Sequence, residues 1–183
     1  MPKGDSKKKE SKVSLGQVLT LRIAAVGIFS ALAFCLAFFF AIPYAGGAGY
    51  FNFGDAITLL VSMAFGPIEG SLVGIVSGGL SDFASGFGSF IPWTVVSKGL
   101  MGLVSGGLFY LLRKRKAIRF LAPILGGIVM MAVYLIAYII MFGANYLMAS
   151  LFDAIQGLGC ALISIGIYIP LEKTGVLRHL RKS

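Results

Sequence analysis

Long apolar runs alternate along the chain with short connections rich in glycine, proline, aromatic or charged residues. Runs at about 18–42, 55–65, 71–87, 93–112, 120–142 and 147–171 each predict a helix. A bilayer core about 30 Å thick takes roughly 20 helical residues. Helices suit open chains there, because every backbone N–H and C=O must be satisfied without water. The second run is short and is expected to begin inside the preceding loop, 43–54. Gly66, Pro67, Ile68, Glu69 and Gly70 predict a compact reversal, with Glu69 solvated in it. The expected fold class is all-α: a polytopic membrane protein with six transmembrane helices and both termini cytoplasmic. Residues 1–16 read as a disordered basic segment, 17–172 as the six-helix domain and 173–183 as a basic tail.

Composition supports that class. The 183 residues are 57% hydrophobic and 13% charged, about half the charge usual for a soluble domain. Of 16 Lys and Arg, six lie in 1–22, five in 113–119 and four in 173–182; Lys98 alone sits inside an apolar run. Clusters flanking spans mark the cytoplasmic side and attract anionic lipid. With six spans, the basic 113–119 loop and both termini fall on one side, and the three loops opposite carry no Lys or Arg. The net charge of +9 is therefore a topology signal. No aromatic–basic platform for nucleic acid accompanies it. A first run with no small-residue cleavage pattern after it reads as a retained span. Cys35 and Cys160 read as small core residues.

Charges inside spans are expensive, about 2.5–3.5 kcal/mol at mid-span on insertion scales. Asp55, Asp82, Lys98 and Asp153 all fall in the outer half of the predicted bundle. Thr94, Lys98, Met101 and Ser105 share one face of the fourth helix; Tyr134, Tyr138, Met141 and Asn145 share one of the fifth; Asp153, Gln156, Cys160 and Ser164 share one of the sixth. Such stripes face inward, toward one another or a wet cavity. The expectation is an outward-facing pocket among the last three helices, roofed by Tyr50, Phe51 and Asn52. Its candidate ligand contacts are Lys98, Asp82, Asp153, Asn52, Trp93, Tyr134, Tyr138, Asn145 and Gln156. Plainer roles stand beside these. Lys98 could serve only to neutralise Asp82 or Asp153, Asp55 could cap a helix, and Asp82 could be a polar loop edge. The two tyrosines could be packing, and Trp93 an interfacial anchor.

Ser71, Gly74, Gly78 and Asp82 line one face of the third helix, and Ala24, Gly27 and Ala31 one face of the first. Small faces allow close helix approach, within the chain or to a partner. There is no P-loop pattern, no metal-ligand cluster and no nucleophile–base constellation, and His179 lies in the tail. An enzyme, a resident cofactor and a metal are not expected.

Three stretches carry a resemblance: AAVGIFSALAF at 24–34, FNFGDAITLLVSMAFGPIEGSLVGIVSGGLSDF at 51–83 and SKGLMGLVSGGL at 97–108. With the size and predicted topology, the chain resembles the substrate-binding S components of energy-coupling factor (ECF) vitamin transporters over about 16–172, nearest the riboflavin, hydroxymethylpyrimidine and pyridoxine branch. The resemblance implies a vitamin bound near the outer face by the last three helices and outer loops. It implies a small-residue face on the first helix, here Ala24, Gly27 and Ala31, against a transmembrane T component coupled to two cytoplasmic ATPases. It also implies a prokaryotic cell membrane and a subunit that topples to carry its cargo inward. The family's usual step is Ala-x-x-x-Ala, from which Gly27 departs. A pyridoxine-like or hydroxymethylpyrimidine-like ligand is expected, with riboflavin as the alternative. A self-sufficient transporter or channel, or a ligand-free assembly protein, stands as the alternative of another class.

Overall fold

The computed structural model describes residues 15–44, 49–143 and 147–175. Six helices follow in order: α1 Leu15–Phe39, α2 Gly54–Ala64, α3 Pro67–Ala84, α4 Ile91–Leu111, α5 Leu121–Phe142 and α6 Leu147–Lys173. A two-stranded antiparallel hairpin, β1 Ile42–Tyr44 and β2 Gly49–Phe51, joins α1 to α2, with Ile42 opposite Phe51. The described residues are otherwise mostly helical, as expected; the hairpin is a short addition in which backbone pairing takes up N–H and C=O groups.

α2 is the hub. All eleven of its residues are buried, and it packs on α1, α3, α4 and α6. At 1.5 Å per residue it is about 17 Å long, too short to cross a bilayer alone. Around it, α1 packs on α3, α3 on α4, α4 on α5 and α5 on α6. Among the described residues four helices are long and apolar enough to cross a membrane, α1 and α4–α6. α3 matches them in neither length nor apolarity, since Glu69, Asp82 and many Gly and Ser interrupt its eighteen residues. α1, α2 and α4 pack on it and bury its Gly- and Ser-rich face, while Leu72, Val76, Leu80 and Phe83 stay exposed.

Polarity is turned inside out. Leu, Ile and Phe side chains along α1 and α4–α6 are exposed, whereas Ser30, Asn52, Asp55, Thr58, Asp82, Thr94, Lys98, Asp153, Gln156 and Ser164 are buried. That is the arrangement of a chain whose solvent is lipid.

Glycine sets the helix spacing. A side chain at Gly102 would put its Cβ 2.5 Å from the backbone nitrogen of Ser71, and a Cβ on Gly127 would lie 3.0 Å from the Gly157 backbone. α3 against α4, and α5 against α6, are thus held at a distance only glycine permits.

Other expectations shift. Pro67 opens α3 as one of its first residues, so the reversal reduces to Phe65 and Gly66. Glu69, expected to be solvated, is buried and accepts a 2.9 Å hydrogen bond from Arg22 Nη1. Cys35, expected in the core, is exposed on α1, while Cys160 is buried as expected. α1 already starts at Leu15, inside the segment 1–16 that was expected to be disordered. Residues 1–14 and 176–183 lie outside the described residues, as does Asn145.

A candidate ligand site at the hairpin end

The four intramembrane charges come together where α2 begins. Asp55, in the first turn of α2, makes no helix cap; its Oδ2 accepts from Lys98 Nζ at 2.6 Å and from Gln156 Nε2 at 2.6 Å. Both members of the ion pair are almost wholly buried, at 2% and 3% side-chain exposure. Removing two charges from water is costly unless close geometry and further hydrogen bonds repay it. Here Gln156 supplies one such bond, and its Oε1 accepts the Asn52 N–H at 2.8 Å. Lys98 Nζ also lies 3.1 Å from Met130 Sδ and 5.4 Å from the centre of the Tyr134 ring. The expected partner of Lys98 was Asp82 or Asp153; the structure gives it Asp55.

Asp82 belongs to a second network. Tyr50, on the hairpin, donates to its Oδ1 at 2.9 Å. Thr94 donates to its Oδ2. Thr94 has one proton, so its oxygen receives the hydrogen bond from Tyr134, 2.9 Å away. Burial first, and then the Asp82 carboxylate, push the Tyr50 phenol far above its ordinary range. It remains a donor at any physiological pH.

Between the two networks lies a hollow lined by residues of both, together with Asp153, Tyr138, Phe87 and Phe90. Tyr134 stacks on Tyr138, whose ring meets the edge of Phe90. Phe87 links Phe90 to Tyr50. The hollow's free volume is about 30 Å³, room for a single water molecule. A ring-sized ligand enters only by displacing a wall. The hairpin wall is held to Asp82 through the Tyr50 hydroxyl.

Of the residues predicted from the sequence, Lys98, Asp82, Asp153, Asn52, Tyr134, Tyr138 and Gln156 line the hollow. Trp93 does not; half-buried, it is one position from Thr94 and so turns away from the face that carries Thr94 and Lys98. Asp55, Phe87 and Phe90 were missed. A signal existed for Asp55, as a carboxylate opening an apolar run with no cation near it in sequence. For the phenylalanines it was weaker: two large rings in a Gly- and Ser-rich loop that has no apolar periodicity to explain them.

A solved structure described as the S component of a bacterial ECF transporter superposes with a TM-score of 0.63 at 23% identity, over 85% of this chain and 98% of that one. At that identity the likeness speaks for the fold alone. The Thiamine precursor transporter HmpT of Lactococcus lactis is 27% identical over 88% of this chain and 94% of its own length. An uncharacterized protein from the gap 3′ region of Pyrococcus woesei is 32% identical over 72% of this chain and 88% of its own. The family model for the S component of ECF-type riboflavin transporters matches residues 17–173. Nearly the whole helical bundle is covered by that match, so the chain belongs to the family of ECF transporter S components, membrane transport subunits of vitamin type.

Proposed function

We propose that this subunit captures a small hydroxylated heteroaromatic vitamin or precursor, pyridoxine-like or hydroxymethylpyrimidine-like, in the hollow at the hairpin end. It then delivers that cargo inward with a T component and two cytoplasmic ATPases. The observation that carries this reading is the hollow itself. Two hydrogen-bonded networks and a set of aromatic rings from α3–α6 and the hairpin converge on one buried point, the usual make-up of a small-ligand site. The name of the Lactococcus relative supports a thiamine precursor as ligand.

In this reading all six helices lie in the membrane of a prokaryotic cell, α2 shielded by the others, with the termini and the basic 113–119 loop cytoplasmic and the hairpin outside. Toward the opposite end the core is an apolar cluster of Leu60, Met63, Ala64, Phe109, Ala122 and Tyr168, with no continuous line of polar groups through it, which argues against a self-sufficient channel. Ala24, Gly27 and Ala31 are exposed on α1, and a side chain at Gly27 would meet nothing within 4 Å. That bare face is where the T component packs.

Riboflavin is the second reading, favoured by the family description. Its three-ring system demands a far larger opening of the 30 Å³ hollow than a single ring does. A thermal-shift screen of the purified chain against B vitamins and their precursors tests both, since a ligand at 100 times its Kd adds about 2.7 kcal/mol. Gly27→Leu is expected to leave that shift intact and to abolish uptake in cells carrying the ATPase module. Unchanged uptake would remove the partner face.

A further inference from the structure

A second cavity, of about 280 Å³, opens at the end of the bundle opposite the hairpin. It lies where α2 gives way to α3 at Gly66, between Arg22 of α1 and the last turn of α4. Its volume is close to the range of about 300–1,000 Å³ typical of small-ligand pockets. The lining is apolar at Met63, Phe65 and Phe109, and its two charged residues, Arg22 and Arg113, are both cations.

Neither arginine is used up. Arg22 donates to Glu69 through Nη1 alone, which leaves the N–H groups on Nε and Nη2 for another acceptor. Among the described residues Arg113 makes no ion pair. The Tyr110 ring lies 4.4 Å from its guanidinium carbon, covering one face and leaving the N–H edge open. Helix ends do not decide the sign of what binds, because α3 begins at the cavity while α2 and α4 end there. The side chains do. Two guanidinium groups against the one carboxylate of Glu69 leave a positive charge unanswered. Such a fork grips a phosphate through two parallel hydrogen bonds.

The surroundings point to where that phosphate comes from. Leu19 and Ile23 on α1 and Leu111 on α4 are exposed beside the two arginines, so acyl chains border the cavity where its polar groups meet the membrane edge. Lys114, Arg115 and Lys116 follow directly, all exposed, and a basic run of this kind concentrates anionic lipid. We propose that the cavity holds the phosphate of an anionic phospholipid from the leaflet at this end, gripped between Arg22 and Arg113, with the glycerol against the apolar lining. The lipid is a bound ligand at a built site, separate from the hollow at the hairpin end and independent of which vitamin is carried.

The test is lipid retention by the full chain, moved into detergent from nanodiscs holding phosphatidylglycerol and phosphatidylcholine in equal amounts. A wash in about 1 M salt, where the Debye length is roughly 3 Å, removes attraction between separated charges. Mass spectrometry of the extract then counts what stays. Wild type is expected to retain phosphatidylglycerol over phosphatidylcholine by at least about tenfold, from about fivefold for each arginine. Arg22→Gln combined with Arg113→Gln should bring the ratio close to unity. Lys114→Gln combined with Lys116→Gln removes the same charge outside the cavity and should leave the ratio unchanged. If the arginine double variant does not fold, Arg113→Gln alone breaks no ion pair and should cut the preference about fivefold. Equal losses in the two double variants overturn the site and leave only diffuse attraction. No preference in wild type overturns the lipid and leaves the cavity to an acidic side chain of a protein partner. Release of the lipid by inorganic phosphate, at the same ionic strength as the wash, assigns the cavity to the free anion instead.

Discussion

The two ends of the bundle hold opposite charges together in different ways. At the hairpin end, Lys98 and Asp55 meet at 2.6 Å with 2% and 3% of their side chains exposed. At the other end, Arg22 meets Glu69 at 2.9 Å with the arginine half exposed, and Arg119 meets Glu172 at 2.5 Å with the glutamate 37% exposed. The second kind forms at a polar border where either partner alone is still hydrated, and such pairs contribute about 0–1 kcal/mol. The first cannot be explained as a stabilising bond, because an apolar pair of the same volume is often as stable or more so. A buried pair that offers little stability, set against a hollow, points to a role in recognition. One end of the molecule is built for its chemistry, and the other for its boundary.

Breaking the buried pair should produce the largest effect. Lys98→Ala leaves Asp55 as a buried charge without its cation, a loss of about 3–5 kcal/mol. A large fall in the thermal midpoint in detergent, with ligand binding abolished, is expected. Lys98→Met combined with Asp55→Asn removes both charges and keeps an oxygen for Gln156 to donate to. That double variant should regain most of the stability. If it is no more stable than Lys98→Ala, the pair is not coupled as the geometry says.

Gly102→Ala comes next. Its new Cβ would lie 2.5 Å from the Ser71 backbone nitrogen and 2.6 Å from the Gly70 carbonyl carbon, so α3 and α4 must separate. Overpacking of this kind costs about 1–3 kcal/mol. Because Lys98 stands one turn away on α4, the variant should also weaken binding. Gly107→Ala, five residues on with nothing within 4 Å of its Cβ, is the matched control and should leave both unchanged.

Much of this contrast was legible in the amino-acid pattern. Charge depth alone put Asp82, Lys98 and Asp153 at one end, and helical spacing put Tyr134 with Tyr138 and Asp153 with Gln156. Each of those pairs does line the hollow. Which carboxylate takes Lys98 was not legible. Three lie at similar depth, and the choice depends on how far α4 rotates against α2, a property of the glycine contacts between helices rather than of any one helix. The place of α2 was hidden for a related reason. An eleven-residue apolar run looks like a shortened span, and only the surrounding helices reveal it as a fully covered hub. Glu69 was misjudged because the reversal was drawn too long; with Pro67 inside α3, residue 69 turns onto the bundle and meets Arg22.

The smallest effect is expected at that border pair. Arg22→Ala removes a side chain that is 49% exposed and leaves Glu69 behind. On burial alone Glu69, at 8% exposure, would suffer as Asp55 does. Its position argues otherwise. Glu69 lies in the first turn of α3, where unsatisfied backbone N–H groups and the helix dipole favour a negative charge by about 0.3–1 kcal/mol. The carboxylate thus keeps part of its support when the arginine goes, and water at the bundle's edge supplies more. Arg22→Ala should lower stability by under about 1 kcal/mol, less so as salt is raised, with ligand binding unchanged. A loss as large as that of Lys98→Ala would mean that the two ends are built alike, and the distinction between a recognition pair and a border pair would not stand.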